Sequence, residues 1–276
     1  MSRTMIQAAV TMNQLQNKLD LIGNNLANSQ TTGYKSRQAD FSSLLFQQMN
    51  NMTDPENAKG RLTPDGVRIG AGAKLAPPRM NQALGAITET GRGLDAALFN
   101  KNDFFQIRVT ENGQAETRYT RAGAFYLSPV NNNQAVMLTT DDGNPVLGEN
   151  GPIVIPTGFT AISILENGDI TVTRGNETQA AGKLSIVEAT RPGLLEATGK
   201  NAFRLPDLEA LGYNLFDVIK ASNPNDTLVK SGALERSNVD ISKEMTDMIQ
   251  TQRSYQFNAR TISMSDQMMG LVNQLR

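Results

Sequence analysis

Three residue types on which much enzymatic and cross-linking chemistry depends are missing from this chain. Its 276 residues include no Cys, no His and no Trp. Without Cys there can be no disulfide, thiol nucleophile or thiolate metal site, and without His no imidazole ligand and no Ser-His-Asp triad. Carboxylate-only calcium sites and carboxylate-pair hydrolysis are all that is left of those classes. Aromatic residues make up only 5 %, so any core is aliphatic. No run of 18 apolar residues exists, so no segment is expected to insert in a membrane. Net charge is −1 with no long basic run, which argues against an electrostatic footprint for nucleic acid. The chain opens Met1-Ser2-Arg3-Thr4 and goes straight into an amphipathic pattern, with no apolar core of a secretory signal. Export, where it occurs, is expected to bypass the general secretory route, and a Cys-free chain suits passage in an unfolded state.

What is present is organised around the first forty residues. Apolar side chains fall at Met5, Ala8, Met12, Leu15, Leu19, Ile22 and Leu26, in alternating steps of three and four. That is the a/d seam of a helix made to pack on another helix. A helix of roughly 25 residues is about 37 Å long and cannot bury such a stripe on itself. The far end of the chain supplies a counterpart, with Ile241, Met245, Met248, Gln252, Tyr255, Ala259 and Ile262 again spaced by four and three. That stripe then widens into Met264, Met268, Met269, Leu271, Val272 and Leu275. Methionine makes a pliable surface that accepts several packing environments. Asp240 or Ser242 can cap this second helix, and Glu244 suits its first turn.

The first helix is expected to end between Ala27 and Ser29, before Thr31-Thr32-Gly33. Asn24, Asn25 and Asn28 crowd its last turns. Two readings stay open for them: local capping and turn chemistry, or lateral hydrogen bonds to neighbouring subunits. From Ser42 to about Leu84 periodicity fades. Breaks stand at Asp54-Pro55, Thr63-Pro64 and Pro77-Pro78, with a turn at Pro64-Asp65-Gly66 and a short extended piece near Val67 and Ile69. This stretch reads as a disordered linker or as an extended arm ordered by adjacent subunits. From Gly85 to Ser231 short strands alternate with turns. The hairpin Ile162–Leu165, Glu166-Asn167-Gly168-Asp169, Ile170–Thr173 is the clearest, and a second turns at Glu111-Asn112-Gly113. Turn signals every 8–12 residues indicate a barrel or sandwich-like all-β domain. Arg108, Arg118, Arg121, Glu116, Asp141 and Asp142 read as a solvated β face with cross-strand ion pairs. Asp141-Asp142-Gly143-Asn144 lacks the further carboxylates of a calcium loop and reads as a turn.

Leu19-Asp20-Leu21-Ile22-Gly23-Asn24-Asn25-Leu26-Ala27-Asn28, followed by Thr31-Thr32-Gly33-Tyr34-Lys35 and Phe41, resembles the signature of bacterial flagellar rod and hook axial proteins. That pattern runs LDxIANNLANxxTxGFK and then a Phe. Gly23 stands where Ala is usual and Tyr34 where Phe is usual. The middle resembles the family at Gly85–Gly91 with Leu94-Asp95, at Asp103-Phe104-Phe105 and at Tyr119-Thr120-Arg121-Ala122-Gly123-Ala124-Phe125. Ile87 departs from the first element. Asp103 replaces a glycine in the second, a change that costs little if Asn102 adopts a left-handed conformation. Near the end, Ala233-Leu234-Glu235-Arg236-Ser237-Asn238-Val239 and Met245 to Gln256 are similar to the family's LExSNV and EMxxMIxxQRAY elements, with Ser254 for Ala.

The expected fold is α+β: long N- and C-terminal helices paired as an antiparallel coiled coil, around a central all-β domain. The expected divisions are 1–32 (axial helix), 33–84 (linking arm), 85–231 (β domain) and 232–276 (axial helix). The expected assembly interface is Met5, Met12, Leu15, Leu19, Ile22, Asn24, Asn25, Leu26, Asn28, Met245, Met248, Gln252, Tyr255, Ile262, Met269 and Val272. No catalytic residue, cofactor or metal is expected. The resemblance implies a structural subunit of the flagellar basal-body rod that polymerises helically and carries torque from motor to hook. It also implies partnership with itself, with other rod and hook subunits and with the flagellar type III export apparatus. A hook or hook-associated subunit is the alternative, but those chains are generally longer, with a larger insertion between the strands. A rod-linked peptidoglycan hydrolase would need a carboxylate pair in a pocket, and an exported adhesin leaves the paired terminal seams unexplained.

Overall fold

The computed structural model describes residues 3–43, 46–49, 67–70, 73–111, 113–130, 132–175, 177–199, 201–222 and 229–274. The breaks at Asp54-Pro55 and Thr63-Pro64, the Pro64-Asp65-Gly66 turn, Asn112 and Leu275 lie outside them. Its helices are α1 (Arg3–Ala27), α2 (Leu208–Leu211), α3 (Leu215–Val218) and α4 (Ile241–Gln274). The architecture is α+β: a helix at each end and a strand-rich region between. The chain divides into two compact units. One comprises Met1–Leu26, Arg37–Arg79 and Ile241–Arg276; the other comprises Ala27–Ser36 and Met80–Asp240.

In the first unit, α1 ends at Ala27, inside the interval that the Asn-rich turn and Gly33 imply. Its inward face is marked by Ala8, Leu15 and Ile22, buried at intervals of seven, one heptad position repeated. Beginning just after Asp240, α4 runs for 34 residues with Glu244 in its first turn. Its buried residues are polar: Glu244, Thr251 and Ser265. Buried hydroxyls cost little when they bond to their own helix one turn back, and Thr251 Oγ1 donates to the Asp247 carbonyl at 2.6 Å.

Also in this unit, the segment following α1 forms an antiparallel ribbon. Phe41–Ser43 pairs with Ala73–Leu75, and Phe46–Met49 with Val67–Gly70. The Leu75 N–H donates to Gln14 Oε1 at 2.9 Å, and the Lys18 ammonium lies 5.3 Å from the Phe41 ring centroid. Strands of three and four residues are too short to show a period of two, so only the piece near Val67 was legible.

The second unit is built on a six-stranded antiparallel sheet. Its spatial order is Glu196–Thr198, Ala202–Arg204, Gln114–Thr120, Asp103–Glu111, Ile186–Ala189, Ile219–Ala221. Alternation along Asp103–Glu111 gives that sheet two apolar faces. Phe105, Ile107 and Val109 enter the larger core with Phe125, Leu138, Ile155 and Ile170. Phe104 enters a smaller core with Tyr119, Val187, Phe203 and Val218. Each core holds an edge-to-face pair, Phe105 with Phe125 at 5.1 Å and Phe104 with Phe203 at 5.6 Å. Such geometry matches the positive ring edge to the negative face. Two three-stranded antiparallel sheets complete the larger core, Tyr126–Val130 with Ala135–Thr139 and Val154–Pro156, and Ala161–Ile164 with Asp169–Arg174 and Glu177–Lys183.

The Glu166-Asn167-Gly168 hairpin is present, with Gly168 at φ 84° and its N–H donating to the Leu165 carbonyl at 2.9 Å. A three-residue loop needs glycine there. The expectation at Asn102 fails: among the described residues, only Asn132 and Asn133 reach positive φ without being glycine. Asp103 shapes that turn through its side chain, accepting Asn100 Nδ2 at 3.0 Å. Of the solvated-face reading, the ion pairing holds for Arg118, which pairs with Glu111 and Glu116 at 2.6 and 3.0 Å, but its side chain is buried. The reading fails altogether for Arg121, which is fully buried.

Candidate functional site

The side chains expected at an assembly face divide by position. On α1, Leu15, Ile22 and Asn25 are buried, Met5, Met12, Leu19 and Leu26 are half-buried, and Asn24 is exposed; Asn28, just past the helix, is half-buried. On α4, Met248, Tyr255 and Ile262 are half-buried, whereas Met245, Gln252, Met269 and Val272 are exposed. The fold brings Met12, Tyr255 and Ile262 to one open groove of about 470 Å³, together with Ala9, Asn13 and Gln16.

The inward face of α4 follows Glu244, Met248, Thr251, Tyr255, Asn258, Ile262 and Ser265, which are buried or half-buried in steps of four and three. This seam runs one residue before Met245 and Gln252, so both side chains turn outward. On roughly the opposite side of the helix lies a second apolar stripe: Ile249, Phe257, Met264, Met268 and Leu271, each more than half exposed. Phe257 is 73 % exposed. A helix with one packed face and one bare apolar face has a surface suited to a further partner.

The asparagines separate the two readings left open for them. Asn28 follows the local one, its oxygens taking the Thr31 N–H at 3.1 Å and the Thr31 hydroxyl at 3.2 Å. Asn25 is committed within the chain but not locally. Its Nδ2 donates to the Arg37 carbonyl at 2.8 Å and to Glu244 Oε1 at 2.9 Å, and its Oδ1 accepts the Arg37 N–H at 3.0 Å.

Sequence reasoning missed a buried ionic cluster in the second unit. Glu235 Oε1 accepts Lys35 Nζ at 2.7 Å and the Gly85 N–H at 2.9 Å, while Oε2 accepts Arg121 Nε at 2.8 Å. All three charged side chains are essentially inaccessible to solvent. Two cations share one anion, and backbone carbonyls compensate the excess: Ala83 for Lys35, and Asn100, Lys101 and Asp103 for Arg121. Burial raises the Glu235 pKa, but Arg121, Lys35 and the Gly85 N–H outweigh it and hold the carboxyl below its usual range. Burial, and then the Arg121 charge, pull the Lys35 ammonium below its ordinary value against the opposing pull of Glu235. The backbone is equally close-fitted. Gly33 has φ +67°, and a Cβ there would meet the Arg121 carbonyl carbon at 2.5 Å; one on Gly85 would meet the Arg236 oxygen at 1.9 Å. The available signal was positional, since Lys35, Gly85, Arg121 and Glu235 each stand in a different motif.

Comparison with known proteins accounts for those motifs. Three family profiles match: "Flagella basal body rod protein" over residues 7–35, "Flagellar hook protein FlgE/F/G D1 domain" over 100–172 and "Flagellar basal body rod FlgEFG protein C-terminal" over 230–275. The flagellar hook-basal body complex protein FlhP of Bacillus subtilis is 42 % identical over 281 residues, covering 100 % of both chains. The flagellar basal-body rod protein FlgG of Agrobacterium fabrum is 35 % identical, covering 98 % of each.

The chain belongs to the flagellar basal-body rod protein family.

It is a structural subunit of the rod, and its relatives place it in the flagellar basal body. A second B. subtilis relative, the rod protein FlgG, is 34 % identical over 98 % of this chain and 97 % of its own length. FlhP is therefore more similar to this rod subunit than the B. subtilis FlgG is. The buried carboxylates have structural partners: two cations for Glu235, Asn25 for Glu244, Arg92 and Thr90 for Asp95, Asn100 for Asp103. Among the described residues, no three His, Cys, Asp or Glu side chains group to hold a metal, and no helix is long and apolar enough to cross a membrane.

Proposed function

We propose that this subunit polymerises helically through its terminal segments, 1–32 and 232–276, and that these lie at the inside of the rod. In this reading α1 and α4 pair as an antiparallel coiled coil, and the region 85–231 wraps its larger core as a barrel in the outer layer. The stretch 33–84 links the two and reaches neighbouring subunits. Torque passes along the helices from motor to hook. The partners are further copies of this chain, other rod and hook subunits and, during delivery, the flagellar type III export apparatus, which carries the chain unfolded past the cell membrane.

The observation that carries this reading is the two-sided helix α4. Its polar-studded inner face meets its own subunit, and on its outer face Ile249, Phe257, Met264, Met268 and Leu271 are each more than half exposed among the described residues. When one patch docks on a different patch of the next copy and the rotation does not close, a filament grows. The antiparallel arrangement draws support from Asn25 bonding Glu244 while Met12 shares a groove with Ile262. For the barrel, the support is the set of bridges Ile107 to Val146 and Gly148 to Leu184, which join separate sheets round one core.

The test is Phe257→Asp in the full-length chain, made in a flagellated strain lacking its own copy. The variant is expected to unfold at the parent's temperature and to be absent from isolated basal bodies. Normal incorporation would overturn the reading.

A further inference from the structure

The ionic cluster does something that stability alone does not require. A buried carboxylate between two cations is weak evidence for stability, because desolvation offsets much of the attraction, and apolar replacements of similar volume often serve as well. Its distinctive property is geometric: each charge needs its partner at hydrogen-bonding distance, so only one alignment of the segments satisfies all of them.

Those segments stand at the two places where the chain leaves the second unit, after Ser36 and after Asp240. Residues 33–36 lead from α1 and residues 235–238 lead to α4. Glu235 joins them twice, by its side chain to Lys35 and by its backbone oxygen to the Gly33 N–H at 2.9 Å. Asn238 joins them again, with Oδ1 accepting the Ser36 N–H at 2.7 Å and Nδ2 donating to the Asn81 and Ala83 carbonyls at 2.9 Å. Arg121 then ties Glu235 to the turn at 100–103.

We infer that Lys35, Arg121 and Glu235, helped by Asn238, are positioning residues for rod assembly: they hold the two chain exits side by side at one spacing and register. The inference rests on the reading that the terminal helices build the rod. It assigns the cluster a role in directing those helices, beyond holding the β region folded.

A charge-free triple variant, Lys35→Met with Arg121→Met and Glu235→Leu, separates the two roles in the full-length chain. It is expected to melt near the parent's temperature and to keep slow amide exchange along 103–109. Exchange at the Gly33 and Ser36 amides should rise at least tenfold, and incorporation into basal bodies should fall at least tenfold. A triple variant that melts and incorporates like the parent overturns the inference. If the triple variant does not fold, Asn238→Ala takes its place: raised exchange at Ser36 with reduced incorporation supports positioning, and unchanged incorporation overturns it. Phe257→Asp distinguishes this failure from that of the functional reading. Loss of incorporation in Phe257→Asp alone sinks the positioning role and leaves the assembly role of the helices standing; normal incorporation in both sinks the assembly role as well.

Discussion

The β-rich middle and the C-terminal helix treat their apolar side chains in opposite ways. Phe104, Phe105 and Phe125 are at most 1 % exposed, whereas Phe257 is 73 % and Met268 60 % exposed. Conversely, α4 buries Glu244, Thr251 and Ser265. The middle buries two apolar cores within one chain, although Leu211, Leu215 and Phe216 around α2 and α3 stay exposed. The helix leaves part of its own bare, the part that the proposed function gives to another molecule, and packs polar groups against its own unit. Under that proposal stability and assembly fall to different residues, and the contrast can be tested from both sides.

The largest effect is expected from removing an end altogether. Chains lacking 1–30 or 240–276 should keep their β signal in circular dichroism yet fail completely to enter basal bodies or to pull down other rod subunits. A lost β signal on truncation would mean that the middle is not self-sufficient. Next comes Phe105→Ala, which removes a ring from the larger core and should cost about 3–5 kcal/mol in urea unfolding of the full-length subunit.

Glu235→Gln should cost a similar amount, about 3–5 kcal/mol, because it leaves Lys35 and Arg121 buried without their anion. The pH dependence gives a sharper readout. The folded carboxyl lies below its unfolded value of about 4.3, so its contribution is fully present above that value and is lost as pH falls through the folded one. The gap in melting temperature between parent and variant should therefore be wide at neutral pH and close on acidification. A gap independent of pH would show that the charge is not what stabilises the cluster. The smallest effect belongs to Phe257→Ala, which should leave subunit unfolding within about 0.5 kcal/mol of the parent while weakening incorporation. A large loss of subunit stability would place Phe257 in the fold after all.

Much of the fold was legible because its signals are local. Three-and-four spacing marks α1, and Asn-Gly turns mark two of the hairpins of the middle. The inward face of α4 was less so: with apolar residues on two sides, periodicity cannot say which stripe turns in, and the seam fell one residue from Met245 and Gln252. The motif residues Lys35, Arg121 and Glu235 were visible, but not their union, because the ion pairs span 200 and 114 positions. Asn25 likewise read as a capping or a lateral amide, because its partner Glu244 stands 219 positions away.

From its residues alone, this chain was committed to an α+β architecture with helices at its ends, to a largely aliphatic core, to which the structure adds Phe104, Phe105, Phe125 and Phe203, and to chemistry without thiols or imidazoles. Those properties follow from composition and short-range spacing, which act on neighbours along the backbone. Which face of α4 is bare, and which three charges are sealed together beneath the surface, depended on segments meeting from opposite ends of the chain. Burying a charge is tolerable only where a distant partner and fitted carbonyls arrive to replace water, and no local pattern encodes that arrival.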